Sequence, residues 1–286
     1  MYKILNLTRR TLHRILPYNE TFDYALNYIK FLEDHKRFPC KKKIFNDYLY
    51  NIKNSNEILD PLRQFISDKY LLKSYVKSKV GDKYNVPTVA VFTSYEEMEE
   101  FKFPENCCIK PTNASQAVIL RKNNEPINIE KTKEWFKLDY YKLTRERNYK
   151  YLKPMVIIEP LIFDSKDLMD YRFFCYNGKV KLICIDIGKY SGYKRIFYDR
   201  NWKKQDFSLH YPIYEGEINK PSNLNKMLEV AEILSSDFNF IRIDLYSDGI
   251  NCLVGEITNC HAAASQSFIP LTSEKYASEI IFGDQL

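Results

Sequence analysis

Phe240-Ile-Arg-Ile-Asp-Leu-Tyr246 and Val254-Gly-Glu-Ile-Thr258 read as two apolar strands that carry charge. Arg242 and Asp244 are two residues apart, so in a strand they share one face while Ile241, Ile243 and Leu245 point to the other and are free to be buried. Ser247-Asp248-Gly249 is a turn signal that folds the second strand back and brings Glu256 alongside Asp244. Two carboxylates facing one pocket repel unless a cation joins them, and hard oxygen ligands suit magnesium held jointly with substrate phosphates. The alternative from spacing alone is a surface hairpin with an ordinary salt bridge.

Working outward, Tyr171-Arg-Phe-Phe-Cys-Tyr176, Asn177-Gly178 and Lys179-Val-Lys-Leu-Ile-Cys-Ile185 form a hairpin around the strongest short turn signal, Asn-Gly. Leu224, Met227, Leu228, Ala231 and Leu234 mark one face of a helix just before the charged hairpin. Upstream, Pro87-Thr-Val-Ala-Val-Phe92, Cys107-Cys-Ile-Lys110, Ala117-Val-Ile-Leu120 and Met155-Val-Ile-Ile158 are short apolar runs with strand character. Helical periods open the chain, from Thr21 to about Lys36 and from Ile58 to Val80, the second interrupted near Asp60-Pro61 and ended by Gly81. Lys189 to Asn219 reads as a polar insertion. The mixture predicts an α+β, or mixed α/β, fold with a helical N-terminal region over 1–80, a small lobe over 81–155 and a C-terminal lobe over 156–286.

The 286 residues carry enough apolar and aromatic side chains for a sizeable core, and a net charge of +6 that is spread out. Short basic runs at Lys41-Lys42-Lys43, Lys203-Lys204 and Arg145 to Arg147 read as solvated faces, not as a stripe interleaved with aromatics, which excludes a nucleic-acid module. Seven cysteines without a Cys-x-x-Cys pair fit neither a disulfide framework nor a zinc site, so reduced thiols are expected. No run reaches the roughly eighteen apolar residues of a membrane span, and the first residues lack a signal-peptide core, so a cytoplasmic location is expected. Thr8 to Leu16, with Arg9, Arg10, His13 and Arg14, either packs on its own domain or touches an anionic membrane at the inner face.

Other residues have two readings each. Lys110, ahead of Pro111-Thr-Asn-Ala-Ser115, stands at the mouth of a small polar loop that can contact phosphate, or is a strand-end lysine in water. Lys69, in a helical segment, is a second phosphate-seeking lysine or half of a surface pair with Asp68. Glu159 ends a buried strand before Pro160-Leu-Ile162, where a carboxylate can accept from an adenine amino group. Asp170 and Arg172 reach a ribose or phosphate, or form a cross-strand ion pair. His261 near the acidic hairpin is a hydrogen-bonded structural residue or a catalyst. No Gly-x-x-x-x-Gly-Lys-Ser/Thr or Gly-x-Gly-x-x-Gly motif is present, which removes P-loop and Rossmann readings.

Taken in order, these pieces resemble the ATP-grasp superfamily, and within it the TupA-like branch named for teichuronopeptide biosynthesis. The resemblance runs from about residue 61 to 271 through Ser67-Asp-Lys-Tyr-Leu-Leu-Lys-Ser-Tyr-Val76, Cys108-Ile-Lys-Pro111, Ile157-Ile-Glu-Pro-Leu161, Asp170-Tyr-Arg-Phe-Phe-Cys-Tyr-Asn-Gly178, Phe197-Tyr-Asp199 with Trp202, and the charged hairpin. It implies two α+β lobes clasping ATP, with Lys69 and Lys110 on the phosphates, Glu159 and the backbone near Ile162 on adenine, and Asp170 on ribose. It also implies Asp244, Glu256 and Thr258 on magnesium, Lys189 near the terminal phosphate and Arg242 stabilising the charge that develops in transfer. Two departures stand out: the loop after Lys110-Pro111 lacks the family's glycines, and Thr258-Asn-Cys-His-Ala-Ala-Ala-Ser265 replaces a Pro-Gly-Gly-like turn.

The implied reaction phosphorylates a carboxylate and lets an amine displace the phosphate to give an amide. The resemblance points to a uronic-acid-containing saccharide of a surface polysaccharide or its precursor and an amino acid or amine as substrates. Tyr190, Tyr193, Tyr198, Trp202 and Tyr211 suit stacking on sugar rings, or the core and surface. A glycan kinase or transferase, or a non-catalytic nucleotide-binding component, would use the same nucleotide site.

Overall fold

The structure is a computed structural model that describes residues 2–115, 117–163, 169–188 and 192–283. The chain opens with α1 (Tyr2–Ile15), α2 (Glu20–His35) and α3 (Phe45–Asn54). Asn19 starts α2 by accepting from the Phe22 N–H at 3.1 Å, which satisfies one of the free donors of a helix start. The Ile58 to Val80 stretch is broken twice. Asp60 caps α4 (Pro61–Phe65), and a turn over 66–70 precedes α5 (Leu71–Val80), where the Asp68 carboxylate accepts from the N–H groups of Tyr70 and Leu71 at 2.8 and 3.0 Å. Lys69, expected on a helix, therefore sits in that turn.

Four antiparallel strands, β1 (Ala90–Phe92), β2 (Cys107–Pro111), β3 (Ile119–Arg121) and β4 (Val156–Pro160), make the first sheet in the order β1-β4-β2-β3. Two short helices, α6 (Tyr95–Glu99) and α7 (Tyr140–Thr144), lie between its strands in sequence. Alternation decides its faces: Cys107, Ile109, Val156 and Ile158 are buried against Tyr95 and Met98, while Cys108, Lys110 and Glu159 share the other side. β4 lies beyond residue 155, yet it pairs between β1 and β2.

The second sheet holds β5 (Met169–Tyr176), β6 (Lys179–Ile187), β7 (Lys194–Asp199), β9 (Phe240–Ser247) and β10 (Cys252–Thr258), antiparallel in the order β10-β9-β5-β6-β7. A small two-stranded piece pairs β8 (Ser208–Leu209) with β11 (Phe268–Ile269). Asn177 and Gly178 both take positive φ, 49° and 70°, as a two-residue hairpin turn requires. The span read as a polar insertion contains β7, whose Ile196, Phe197 and Tyr198 are buried, so that expectation is corrected.

One face of this sheet, with Phe173, Ile183, Ile185, Ile241, Ile243 and Leu245, packs on α5 and on α8 (Leu224–Ser235). Burying each such side chain contributes roughly 1.5–3 kcal/mol. On the opposite face Phe174, Leu182, Cys184, Phe197 and Phe240 meet α3 and α9 (Ser273–Phe282). That cover stops short of Asp170, Arg172, Asp186, Arg242 and Asp244, which leaves a charged strip on an otherwise apolar sheet. The basic run at Arg145 to Arg147 is not a solvated face, since Arg145 and Arg147 are 1% and 5% exposed. All seven cysteines are free thiols. Among the described residues no helix is long and apolar enough to cross a membrane.

Candidate active site

Lys110 and Glu159 share the open face of the first sheet because their strands pair Cys108 with Glu159. Glu159 is buried, and its two oxygens lie 2.6 Å from the ammonium groups of Lys110 and Lys73. Lys73 also donates to Val86 O at 2.6 Å and Thr88 Oγ1 at 2.7 Å. Sequence reading missed Lys73, although its place four residues after Lys69 was a usable signal. Burial works against the charge on Lys110, but Glu159 outweighs it and raises the pKa.

Lys69 joins this group through the loop that follows β2. Its backbone N–H donates to Thr112 O at 2.9 Å and its ammonium donates to Ala114 O. Thr112 Oγ1 donates to Asp68 at 2.5 Å, Asn113 donates to Leu138 O at 3.0 Å, and the Ser115 hydroxyl meets that of Tyr140 at 2.5 Å. None of residues 111–115 takes a positive φ. The loop therefore adopts its path without the glycines of the family pattern, pinned by side chains instead.

The charged strip of the second sheet supplies the other half. Glu256 on β10 pairs with Asp244 on β9, and Asp244 pairs with Arg172 on β5. Arg242 holds Asp244 with two contacts of 2.7 Å and stands 3.9 Å from Glu256. Burial raises the proton affinity of Asp244, and that double contact opposes the rise. For Glu256 burial is overcome by Lys69, Arg242 and Arg172, which hold the carboxyl below its ordinary value. Arg172 binds Asp170 at 2.9 Å and also Asp186, which in turn takes two contacts of 2.5 and 3.0 Å from Arg195. Asp186 and Arg195 escaped sequence reading; the signal was a lone aspartate in the apolar run Ile185-Asp186-Ile187.

Asp170 Oδ1 is buried in this strip with no hydrogen-bond partner, while the Thr258 hydroxyl stands beside Glu256 and helps to hold its carboxyl low. Asn259 is fully used, donating to Arg63 O and Ser67 Oγ at 2.9 Å each and accepting from Arg63 at 3.0 Å. His261 is structural in its contacts: its Nδ1 accepts from Arg242 at 2.5 Å and its Nε2 meets Gln266 Oε1 at 3.0 Å. Ile162 follows β4 and is half-buried, while Lys189 lies outside the described residues.

The carboxylate of Glu256 opposes the loss of charge that burial imposes on Lys69 and Lys110. Two carboxylates are what magnesium takes from a protein when phosphates supply further oxygens. Among the described residues there is no group of three His, Cys, Asp or Glu side chains set to hold a metal alone. A cavity of about 810 Å³ opens on Arg242, Glu256 and Thr258 and is walled by Ser115, Tyr140, Arg172, Asp186, Tyr193, Arg195 and Tyr211, with Arg9, Arg10, His13 and Arg14 of α1 on one side. Lys69, Lys110, Glu159, Ile162, Asp170 and Asp244 are not part of its lining.

Comparison with known proteins adds three findings. A family described as TupA-like ATPgrasp matches residues 49–282. Among solved structures, D-alanine--D-alanine ligase from Bacillus anthracis is 17% identical over 77% of this chain and 65% of its own, with a TM-score of 0.45. L-amino acid ligase from Bacillus licheniformis is 13% identical over 86% of this chain and 56% of its own, with a TM-score of 0.46, so the chain spans less than two thirds of either. No curated protein matches.

Proposed function

The chain belongs to the TupA-like ATP-grasp family, and from that premise we propose that it is an ATP- and magnesium-dependent carboxylate-amine ligase. The observation that carries the reading is the charged strip in which Arg242 holds Asp244 with two contacts of 2.7 Å and stands 3.9 Å from Glu256, on a cavity that Arg242, Glu256 and Thr258 line. Lysines at the first sheet and paired carboxylates on the second are the charges that binding a metal-bound polyphosphate requires.

In this reading Lys69 and Lys110 neutralise phosphate oxygens, and Glu159 fixes Lys110 in place. An ionised carboxylate has about four acceptor positions, so Glu159 keeps capacity for an adenine amino group beside the backbone near Ile162. Asp170 Oδ1, buried and unpartnered, suits a ribose hydroxyl. Asp244 and Glu256, with Thr258 beside them, would hold magnesium, which when bound shields the phosphate charge. Arg242, in contact with Asp244 and 3.9 Å from Glu256, lines the cavity, where a carboxylate oxygen attacks the terminal phosphorus and ADP leaves. An amine then attacks the acyl carbon and inorganic phosphate leaves, closing an amide. Lys189 is assigned to the terminal phosphate.

For the acceptor we propose a uronic-acid saccharide of a surface polysaccharide or its precursor, joined to an amino acid or amine in the cytoplasm, where ATP is supplied. The basic cavity and the stacked Tyr193 and Tyr211 rings, 4.6 Å apart on its wall, support this. Tyr198 and Trp202 stack on each other at 4.3 Å, with Tyr198 buried, and serve the core instead.

The test is ADP and phosphate release with glucuronate or oligogalacturonate and a panel of amino acids, on wild type and Glu256→Gln. Among the described residues Glu256 has no ion pair closer than the 3.9 Å contact to Arg242, so its loss should spare the fold, whereas Asp244→Asn would take from the buried Arg242 the carboxylate that it holds at 2.7 Å. Turnover that needs both substrates and falls at least about 100-fold in Glu256→Gln supports the ligase. Phosphate transfer without an amine would make it a kinase, ATP binding with no turnover would make it a non-catalytic component, and full activity in the variant would remove the site assignment.

A further inference from the structure

The cavity has a second charged wall that the ligase chemistry does not use. Arg9, Arg10, His13 and Arg14 follow the i, i+1, i+4, i+5 spacing that gathers side chains on one helical face, and all four line the cavity. Their placement is built, not incidental. Arg145 is buried and donates to the carbonyls closing α1 and the turn after it: His13 O at 3.1 Å, Leu16 O at 2.7 Å and Pro17 O at 2.8 Å. Its charge is answered by Asp23 at 3.0 Å, which also accepts from Tyr141 Oη at 2.6 Å. A cation on the last carbonyls satisfies orphan acceptors and opposes the helix dipole, so α1 is held by its C-terminal end with its basic face toward the cavity.

Arg9 is neutralised by Glu33 at 2.7 Å, and Lys30 by Asp34 at 3.0 Å. Arg10 and Arg14 have no carboxylate within 4.0 Å among the described residues, nor has Lys53, which is 4% exposed on the same cavity. Burial lowers the pKa of Lys53, and the carboxylate of Glu146 on the same cavity opposes that fall, so Lys53 already has its anion. The two unanswered arginines exceed what one carboxylate, already served by Arg242, can use. α1 also lies outside residues 49–282, so this wall belongs to the chain's own N-terminal region.

We propose that the acceptor carries a second anionic group besides the carboxylate that reacts, and that the Arg10 and Arg14 face of α1 binds it. The inference rests on the ligase reading for the identity of the first carboxylate. The shared chemistry is an oligoanionic sugar, its second charge being either a neighbouring uronate or a sugar-linked phosphate.

Calorimetric binding to the full chain tests it with three probes: glucuronate, digalacturonate and UDP-glucuronate. Wild type should bind at least one of the two larger probes about 10-fold or more tightly than glucuronate, and Arg10→Gln with Arg14→Gln should erase that preference. Both residues are exposed, so the double variant should melt with wild type. Preference for digalacturonate assigns the second group as a carboxylate, and preference for UDP-glucuronate assigns it as phosphate. Equal binding of all three probes, binding of none, or a preference that survives the double variant would overturn the proposal. ADP release is read separately: preference without release leaves this wall standing and removes the ligase, whereas release without preference does the opposite.

Discussion

Glu256 stands opposite Asp244 only because the ladder between them slips by one residue at Gly255. Val254 pairs with Leu245, and an unbroken antiparallel register would then set Gly255 against Asp244 and Glu256 against Ile243, on the apolar face. The bulge turns the carboxylate back to the charged strip, and at 255 the Tyr246 ring leaves room only for glycine. A Cβ there would fall 2.6 Å from Cε2 of Tyr246 and 2.8 Å from its Cζ. Gly255→Ala should therefore displace the Tyr246 ring, cost about 1–2 kcal/mol in a thermal melt and weaken magnesium-dependent ATP binding. Unchanged melting and binding would show that the ring moves aside freely.

That bulge marks the limit of what the chain discloses by pattern. Alternation made the two faces of β9 legible, since Ile241, Ile243 and Leu245 are fully buried beneath Arg242 and Asp244. Asn177-Gly178 fixed one hairpin for the same local reason. The carboxylate pairing was expected from a turn signal, but a one-residue slip has no local signature. β7 was hidden because Lys194 and Arg195 open it and Asp199 closes it, so a buried edge strand reads as polar. α3 was hidden by its buried Asn46, Asp47 and Lys53, which interrupt the apolar period; Asp47 is paired by Arg37 and Asn46 by Glu274. The role of α1 depends on Arg145, which no local reading connects to it.

His261 should give the protein a pH-dependent stability that a substitution can isolate. A guanidinium only donates, so Nδ1 must carry a lone pair toward Arg242 and Nε2 carries the proton toward Gln266. Burial, then Arg242, Arg195 and Arg172, hold its pKa well below the ordinary histidine value. As pH falls through about 6.5 the unfolded chain takes up a proton that the folded chain refuses, so stability drops, by about 1 kcal/mol between pH 7.5 and 5.5. Urea unfolding at the two pH values should show this loss in wild type and a smaller one in His261→Gln. Equal losses would mean that the imidazole is protonated in place.

Arg145→Gln should be among the most damaging single changes in the N-terminal region. It strips three carbonyls of their donor and Asp23 of its counter-charge in a site that is 1% exposed. Breaking a buried pair by removing one partner costs about 3–5 kcal/mol. Limited proteolysis should then cut near residues 15–18 far faster than in wild type, and the preference for oligoanionic probes should fall as it does in the α1 double variant. Wild-type resistance to protease would show that α1 is held by contacts other than this one.

The turn after β10 offers a stabilising change at the cavity wall itself. Ala262, Ala263 and Ala264 have φ of 46°, 54° and 61°, three left-handed residues in succession where the family pattern has a glycine-containing turn. An L-residue in that region costs about 1–2 kcal/mol and glycine pays almost none of it. The path is enforced from outside, since His35 Nε2 lies 2.8 Å from Ala264 O and Ala263 N–H donates to Cys260 O at 3.1 Å. Ala263 also lines the cavity, so the strained backbone borders the place where chemistry is proposed. Ala263→Gly relieves one left-handed residue and adds some freedom to the unfolded chain, for a net gain of about 1 kcal/mol. Ala263→Val should lose more than that, because a β-branched side chain fits this region worst. Thermal melts of the pair should move in opposite directions, and a glycine variant that melts below wild type would show that the turn does not strain its alanines.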